Sequence, residues 1–541
     1  MPLPKEAYSD LEGIVGPENI SDDPAILDSY CCHATFFGAP AQSVFRSIWW
    51  KRADAIVLPG STDEVQQVVN ICNYYGLKFK AHSTGQAPMA FCQSEQGITI
   101  DLRRMNRILE INEDHMYALI EPYVVQGELF FETIRHGLVP HLIDAGASIS
   151  PLASVTSVGG SGDSGITRGY NERNALAVEW VLPDGKLVKL GTPDTPNAGW
   201  FCGDGPGPSL LGLMRGGLGH LGGRGIFTKV AIKLYPWHGP KEIERGGVPP
   251  WYEVKDWPWM DIILMKWDNY KREMKGLYLI GEAEIFDSLG RYLSPTLIES
   301  VIAEDKSEWI AIRKSRIVEN MFYFGGWCGH IVAKSQEHFD YCMKAVEHIM
   351  KATKGTIVQI EDLPIPEGVK NPERFYWRLR QSLLNLLLFK NLTLKACVMP
   401  MGGTVGTLPM QQYTSVDKQL EDMIKVAIPV RAKYQKLGQV LDDGPDGCWA
   451  TLDEGGHMIQ HINFTRMEVM DPKASGHGIG IEGLARSLKF GFPIVVSMPH
   501  IDKIGVTARY HNKIMKKLDP NKTSDAFDLN YIARLFEDEE E

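Results

Sequence analysis

Two histidines in the last fifth of the chain are the residues best placed to carry chemistry. His457 and His461 lie in a segment, residues 457–464, whose apolar and polar side chains alternate as in a β-strand, so both face one side. Imidazole titrates near neutral pH and can move a proton, and His500 is a third candidate for that role. Positions i and i+4 of a strand lie about 13 Å apart at Cα, which makes these two histidines awkward ligands for one metal ion.

Glycine-dense loops in the first half of the chain are predicted to approach a phosphorylated ligand. Glycine has no Cβ and allows positive φ, so a backbone rich in glycine can come close to a phosphate. One such loop is followed by two β-type runs that flank a Pro-Asp-Gly turn, and a second loop, 216–229, leads into an apolar strand at 230–234. The binding residues predicted in the first loop are Gly159, Gly160, Ser161, Gly162 and Gly165.

The spacing GxGxxG occurs at three places in the chain, beginning at Gly160, Gly217 and Gly478. A Rossmann dinucleotide site requires a strand, then the glycines, then a helix, with an acidic residue about 20 positions further on. The first match leads toward a hairpin, and the second lies between a helix and a strand, in the reverse order. Too little chain follows the third match for a complete unit. The sequence therefore argues against a Rossmann NAD site.

Composition excludes several classes of protein. The net charge of −11 argues against a nucleic-acid surface, which needs a basic excess. No stretch approaches 18 consecutive apolar residues, so no transmembrane helix is expected. The first residues lack the apolar core of a signal peptide, and the nine cysteines form no CxxC pair, so we predict a cytoplasmic protein with reduced thiols.

Local patterns predict several helices and strands. Ser61 is a good N-cap with Glu64 three residues later, and apolar residues every three to four positions follow it. Residues 176–190 read as a hairpin, and the segment 338–354 has helical periodicity with Gly355 as its C-cap. These patterns indicate a mixed α and β chain.

The glycine loops and the hairpin turn resemble the FAD-binding motifs of the vanillyl-alcohol oxidase / p-cresol methylhydroxylase superfamily. The resemblance is carried by residues 157–169, 181–185 and 219–229. It implies an α+β fold with an FAD-binding domain of two subdomains and an antiparallel-sheet cap domain over the flavin ring. The implied ranges are 1–237 for the FAD-binding domain, 238–490 for the cap, and 491–541 for a return to the FAD-binding domain with an acidic tail.

The same resemblance implies a set of FAD ligands before the first glycine loop. In the superfamily the loop at 82–86 wraps the FAD pyrophosphate, and Ile226 is expected against the adenine end. His82 stands where arginine is common, and Gln86 stands where some members carry a flavin-linked histidine, so covalent attachment from this loop is not expected. The predicted ligands in this loop are His82, Ser83, Thr84, Gly85 and Gln86.

Members of the superfamily use histidines in the segment that matches His457 and His461 in two different ways. In its vanillyl-alcohol oxidase branch a histidine on this strand carries the flavin covalently, and His457 falls close to that position. In its D-2-hydroxy acid dehydrogenase branch two histidines bind a divalent metal with a longer spacing, and an acidic ligand adjoins a later histidine. That later histidine corresponds to His500, whose neighbour here is Pro499, so no metal is predicted. A third interpretation leaves His457 and His461 as hydrogen-bonded residues of the cap.

Phenol-oxidising members of the superfamily hold the phenolate with a Tyr-Arg pair, and this chain has Val495-Val496 at the matching place. A buried phenolate without a cation and a hydroxyl nearby is costly, so a para-alkylphenol substrate is in doubt. The residues that could take over from elsewhere are Tyr170, Glu172, Arg168 and Arg380. Tyr170 is included among the candidate catalytic residues with His457, His461 and His500.

Taken together, these features predict an FAD-dependent oxidoreductase acting on CH-OH or CH groups. It would take a hydride from a small organic substrate, alcohol or alkyl-aromatic, to flavin N5 and pass electrons to oxygen or a protein carrier. The alternatives are a D-2-hydroxy acid dehydrogenase of the lactate or glycolate type, a redox-neutral flavoenzyme like alkylglycerone-phosphate synthase, and a flavoprotein subunit of an electron-transfer complex. A homo-oligomer is expected.

Overall fold

The computed structural model describes most of the first 388 residues and shorter parts of the remainder. Of the strands between positions 404 and 464 it describes the backbone alone. No helix within the described ranges is long and apolar enough to cross a membrane. These ranges are 3–30, 51–85, 92, 94, 97–143, 147–158, 162–169, 171–193, 195–200, 224–243, 245–246, 253–254, 257–292, 299, 302–317, 326–388, 404–413, 421, 423–437, 448–453, 456–464, 482, 486, 513–514 and 516–525.

The chain begins with a four-stranded sheet in the order β1-β2-β4-β3, in which β2, β4 and β3 are parallel and β1 is antiparallel. The third helix packs on it because Val65, Val68 and Cys72 recur on one face and are fully buried. The strands are β1 Ile20–Ser21, β2 Ala55–Val57, β3 Lys78–His82 and β4 Gly97–Asp101, and the helices are α1 Lys5–Val15, α2 Pro24–Ser29 and α3 Thr62–Tyr75.

A second sheet of five antiparallel strands follows, in the order β5-β6-β10-β8-β9. A two-stranded pair, β7 with β11, lies beside it. The elements of this region are β5 Ile108–Asn112, β6 Tyr117–Ile120, α4 Gln126–Arg135, β7 Leu138–Val139, α5 Pro151–Ala153, α6 Gly165–Arg168, β8 Ala175–Val181, β9 Leu187–Leu190, β10 Ile226–Lys233 and β11 Tyr235–Pro236.

The second half of the chain is built on a seven-stranded antiparallel sheet in the order β17-β14-β16-β15-β19-β20-β18, which we call the cap sheet. A short pair, β12 with β13, precedes it. The strands are β12 Arg245–Gly246, β13 Glu253–Val254, β14 Met260–Lys266, β15 Ser288–Tyr292, β16 Trp327–Val332, β17 Thr356–Val358, β18 Thr404–Tyr413, β19 Cys448–Asp453 and β20 Gly456–Phe464.

At β14 and β16 both faces of the cap sheet are buried, and the two faces have different neighbours. Alternate residues of β16 point to opposite faces. Trp327 and Ile331 join a core cluster with the first, third and fifth of the helices listed below, whereas Cys328 and Val332 join a cluster that includes Trp237 of the first half. The cap helices are α7 Tyr270–Ala283, α8 Lys306–Ser315, α9 Gln336–Thr353, α10 Phe375–Leu388 and α11 Ile428–Lys436. The two clusters draw on α9 and α11 on one side and on α10 on the other.

Several local predictions are confirmed. The Ser61 hydroxyl accepts a hydrogen bond from the Glu64 backbone N–H at 3.1 Å and caps α3. The hairpin is formed by β8 and β9, with Gly185 at φ 83° in its turn. The segment 457–464 is a strand within β20.

The end of α9 differs from the prediction. Lys354, not Gly355, adopts the left-handed conformation, and the Gly355 N–H then bonds to the Met350 carbonyl at 2.8 Å. Gly355 is required for another reason, since a Cβ there would lie 2.3 Å from Met350 Cε and 2.7 Å from Trp267 Nε1. The glycine therefore permits close packing rather than an unusual φ.

Candidate functional site

The loop that follows β3 presents polar groups at the carboxyl end of a parallel sheet. His82 ends the strand, and Gly85 adopts φ 67° three residues later. Ser83 and Thr84 are half-buried, and within the described part of the chain neither hydroxyl has a hydrogen-bond partner. Two half-buried hydroxyl groups beside a left-handed glycine provide donors that a phosphate could accept.

The buried carboxylate of Asp101 stabilises the start of this loop from the neighbouring strand β4. Asp101 at the end of β4 accepts hydrogen bonds from the Tyr30 hydroxyl and from the backbone N–H of Arg103, the latter at 2.9 Å. The Tyr30 ring in turn packs edge-on against His82, with ring centroids 5.2 Å apart. Burial and the bond to Asp101 raise the pKa of Tyr30, so its hydroxyl remains a donor at neutral pH. Together these contacts fix the orientation of His82.

The end of the first glycine loop passes very close to a neighbouring segment. A Cβ placed on Gly162 would lie 2.0 Å from both His141 Nε2 and the Leu142 carbonyl oxygen, so only glycine fits. The backbone of Gly162 forms a bridge with Ile143, and the Ser164 hydroxyl accepts the Leu142 N–H at 2.8 Å. Gly165 begins the short helix α6. Gly159, Gly160 and Ser161 lie outside the described residues.

Ile226, the residue predicted at the adenine end, begins β10 and is buried against the first sheet. The preceding Gly225 has φ 88°, and its Cβ would lie 2.1 Å from the Val181 carbonyl oxygen. Its N–H donates a 3.0 Å hydrogen bond to the Ser524 hydroxyl. The backbone before Ile226 is therefore held by a residue from the far end of the described chain.

Residues 519–525, which we call the C-terminal strap, extend the first sheet next to β3. The Phe79 N–H bonds to the Thr523 carbonyl at 2.9 Å, and the Asp525 N–H bonds to the Phe79 carbonyl at 2.8 Å. The fully buried Lys80 ammonium donates to the Asp525 carbonyl at 2.8 Å, and burial lowers its pKa. The strap therefore closes the edge strand whose end carries the loop at 82–85.

These residues fit an extended FAD in two respects. The loop at 82–85 offers unused hydroxyl donors, and the glycine at 162 lets the end of the glycine loop pack against His141 and Leu142, which fixes the backbone of that loop. Residues that could hold the pyrophosphate are Ser83, Thr84, Gly85 and Gly162. No metal-binding group of three or more His, Cys, Asp or Glu side chains occurs in the described ranges.

The glycine loop is joined to the cap sheet by an ion pair. Arg168, in α6, is 4% exposed, and its guanidinium lies 3.2 Å from the Asp287 carboxylate, just before β15. The same guanidinium donates to the Pro140 carbonyl at 3.0 Å. Burial lowers the pKa of Arg168 and raises that of Asp287, and the attraction between the two charges opposes both effects.

His330 lies beside this pair on β16. His330 is two positions from both Cys328 and Val332 and lies on the same side of the strand. Its ring is therefore on the face that packs against the first half. The ring is fully buried, and in the described chain neither ring nitrogen has a hydrogen-bond partner. Burial, and then the positive charges of Arg168 and Arg380, lower the pKa of His330 to about 3. The imidazole is therefore neutral at physiological pH.

Arg380, on α10, is the second arginine that lowers the pKa of His330. Its guanidinium bonds to the Asp261 carboxylate at 2.8 Å, and about a third of each side chain remains exposed, 32% for both. Two arginines named from sequence as possible partners of a substrate anion, Arg168 and Arg380, thus both act electrostatically on one buried histidine. His330 and Asp287 were not predicted as site residues, because no local pattern distinguishes them from their neighbours in the sequence.

The side chains of all four predicted catalytic residues lie outside the described part of the protein. His457 and His461 lie on β20, opposite Leu452 and Cys448 of β19 in the strand register. The helix α6 lies against β15 and β19, which brings the glycine loop next to the strand that pairs with β20. His500, Tyr170 and Gln86 lie outside the described residues. The roles of all five remain predictions.

Comparison with known proteins gives the fold and the domain. Residues 53–191 match the FAD binding domain family. The crystal structure of p-cresol methylhydroxylase with substrate bound superimposes with a TM-score of 0.68 at 17% identity, covering 97% of this chain and 96% of that one. The chain carries an FAD-binding domain and has the p-cresol methylhydroxylase fold. The predicted resemblance to the vanillyl-alcohol oxidase / p-cresol methylhydroxylase superfamily is confirmed, as are the α+β fold class and FAD as cofactor.

The characterised relatives align with this chain over only part of their own length. A glycolate oxidase subunit of Bacillus subtilis is 25% identical over 237 residues, which is 43% of this chain and 46% of the relative. The flavoprotein subunit of 4-cresol dehydrogenase (hydroxylating) of Pseudomonas putida is 30% identical over 191 residues, 34% of this chain and 35% of the relative. The chain therefore aligns with less than half the length of either protein.

Proposed function

We propose that the protein is an FAD-dependent oxidoreductase, a dehydrogenase or oxidase acting on CH-OH or CH groups. In this proposal it takes a hydride from a small organic substrate, alcohol or alkyl-aromatic, and delivers it to flavin N5. The observation that carries the proposal is the match of residues 53–191 to the FAD binding domain family in a chain whose second half has the cap of p-cresol methylhydroxylase.

When bound, FAD supplies the redox chemistry, and the protein must position the substrate C–H and handle one proton. The loop at 82–85 and Gly162 would hold the pyrophosphate. The cap sheet would cover the reacting atoms and exclude water, and the Arg168–Asp287 pair fastens that sheet to the glycine loop. Proton transfer is assigned to His457, His461, His500 or Tyr170, in agreement with the ability of imidazole and phenol groups to exchange protons.

A D-2-hydroxy acid dehydrogenase is the second candidate. It is favoured by Arg380, because a guanidinium has five N–H donors, about a third of this side chain is exposed (32%), and one carboxylate partner leaves donors for a substrate carboxylate. The similarity to a glycolate oxidase subunit points the same way. The absence of a metal-ligating acidic neighbour at Pro499 points against the metal-dependent form of that branch.

A third candidate is a flavoprotein subunit of an electron-transfer complex, as the name of the cresol dehydrogenase relative indicates for that protein. Anaerobic titration with candidate alcohols, alkylphenols and 2-hydroxy acids separates the three. Bleaching of the flavin by one class identifies the substrate, and subsequent reoxidation by oxygen or by an added cytochrome identifies the acceptor. A flavin that no substrate bleaches would contradict the leading proposal and favour the subunit.

Covalent attachment of FAD through His457 is part of the proposal that acid denaturation can test. Yellow colour that stays with the acid-precipitated polypeptide, and is lost in His457→Ala but retained in His461→Ala, is the expected result. Complete release of FAD from the unaltered protein would contradict the assignment. Cytoplasmic location and a homo-oligomeric state are also predicted, and cell fractionation and light scattering on the purified protein test them.

A further inference from the structure

Two hydrogen-bonded contacts join the glycine loop directly to the beginning of β15. One is the ion pair between Arg168 and Asp287, with 3.2 Å between Nη2 and Oδ1. The other is a backbone bond in which the Leu289 N–H donates to the Asp163 carbonyl at 2.7 Å. Both partners on the loop lie within six residues of each other, so one short segment makes both contacts.

Each member of the ion pair is itself held in place. The Arg168 guanidinium also bonds to the Pro140 carbonyl, and its Cζ lies 5.6 Å from the centre of the Tyr235 ring. The second carboxylate oxygen of Asp287 accepts the Val332 N–H at 3.1 Å, and the Asp287 N–H donates to the His330 carbonyl at 2.9 Å. A charge pair anchored at both ends fixes a distance better than one between flexible side chains.

We propose that Arg168 is a positioning residue that, through Asp287, fixes the separation between the glycine loop and the cap sheet. This inference rests on the proposed function, in which the loop holds the flavin and the sheet covers the substrate. The separation then sets the distance between the substrate C–H and the hydride acceptor. A shift of about 1 Å in such a distance can lower a rate about a hundredfold.

Arg168→Met tests the role, because it keeps an unbranched apolar stem and removes the charge and both hydrogen bonds. The first readout is hydrogen exchange of the Leu289 amide, measured relative to that of Val230 in β10 so that global unfolding cancels. We expect exchange at Leu289 to rise about tenfold or more, since local opening depends on the contacts that hold a segment. This readout needs neither substrate nor activity.

The second readout is the rate of flavin reduction at saturating substrate. We expect it to fall about tenfold or more in Arg168→Met, with an intermediate value in Arg168→Lys, which keeps the charge but lacks the planar fork. Arg168→Lys also serves if Arg168→Met does not fold. The Kd for FAD should change less than about threefold, because Arg168 is assigned to position the loop and not to bind the cofactor.

Arg378→Met is the matched control. Arg378 and Glu308 form a buried ion pair at 2.7 Å that lies wholly within the second half, between α10 and α8. Its loss should destabilise the protein without changing Leu289 exchange or flavin reduction. Equal exchange at Leu289 in Arg168→Met and the unaltered protein would overturn the proposal, as would raised exchange with an unchanged reduction rate. If no substrate reduces the flavin of the unaltered protein, the proposed function fails, and the exchange comparison still decides whether Arg168 fastens the two parts.

Discussion

The backbone N–H of Gly225 donates a 3.0 Å hydrogen bond to the hydroxyl of Ser524, which lies 299 positions further along the chain. Gly225 adopts φ 88° against the Val181 carbonyl and precedes Ile226. The Asp519 carboxylate fixes the strap locally by accepting the backbone N–H groups of Thr523 and Ser524 at 2.9 and 3.0 Å. The geometry of the turn before β10 therefore depends on a segment from the other end of the protein.

Ser524→Ala should weaken both folding and FAD binding. It leaves the buried Gly225 N–H without its acceptor, a loss that costs about 1–3 kcal/mol. Urea denaturation should report that decrease in the free energy of unfolding, and titration of the apoprotein should report a higher Kd for FAD. Ser307→Ala, which removes an exposed hydroxyl bonded to Asp305, is the control and should change neither quantity. Equal behaviour of the two variants would contradict the assigned role of the strap.

Gly162→Ala should prevent the glycine loop from packing. Its new methyl group would overlap His141 and the Leu142 carbonyl, both at 2.0 Å, and backbone cannot move aside cheaply. We expect a destabilisation of about 3 kcal/mol or more and loss of bound FAD, measured by thermal denaturation and by the absorbance of the purified protein. Gly13→Ala in α1, with nothing within 4 Å, should instead stabilise the protein slightly.

Ser83→Ala and Thr84→Val test the pyrophosphate loop. If their hydroxyl groups donate to FAD, each change should raise the Kd about tenfold, which corresponds to about 1.4 kcal/mol. Stability of the apoprotein should stay the same, because neither hydroxyl has a partner in the described chain. Ser29→Ala, at an exposed hydroxyl bonded to the Ile26 carbonyl, provides the control. An unaltered Kd in both loop variants would exclude this loop as the phosphate site.

The lowered pKa of His330 predicts how the free energy of unfolding changes at acid pH. Its pKa is about 3 in the folded protein, compared with 6.5 for an ordinary histidine, so the unfolded chain binds the additional proton between those limits. The free energy of unfolding should therefore decrease as the pH falls below 6.5, by at most about 1.4 kcal/mol per pH unit from this residue. Above pH 6.5 the residue contributes no pH dependence.

His330→Leu should reduce the slope of unfolding free energy against pH between 7 and 5. His348→Gln, on the exposed side of α9, should leave the slope unchanged. Chemical denaturation at several pH values measures both slopes. Identical slopes for His330→Leu and the unaltered protein would mean that His330 does not bind its proton on unfolding.

Local signals account for what could be predicted from sequence. The Ser61 cap, the β8–β9 hairpin and the strand at 457–464 each depend on residues within about ten positions of one another. The glycine loops were recognised because their spacing is also local. At the end of α9 the same reasoning chose Gly355 as the left-handed residue, although contact with Met350 is what requires a glycine there.

The junction between the two halves could not be predicted in the same way. Arg168 and Arg380 were named as possible cations, but the partner of each lies 119 positions away, Asp287 in one case and Asp261 in the other. Such pairs form only after distant elements have packed together, α6 with β15 in one case and α10 with β14 in the other, and nothing in the local sequence encodes them. His330 is hidden for the same reason, since its environment is created by residues from α6 and α10.

The late position of the strap has a consequence for synthesis in the cell. At about 5–20 residues per second, a ribosome needs about 15–60 seconds to travel the distance between Gly225 and Ser524. During that interval the outer edge of β3 is unpaired, and the Gly225 N–H lacks the Ser524 hydroxyl as its acceptor. A nascent chain should therefore acquire its prosthetic group after release from the ribosome, and until then it depends on chaperones to protect the open edge from aggregation.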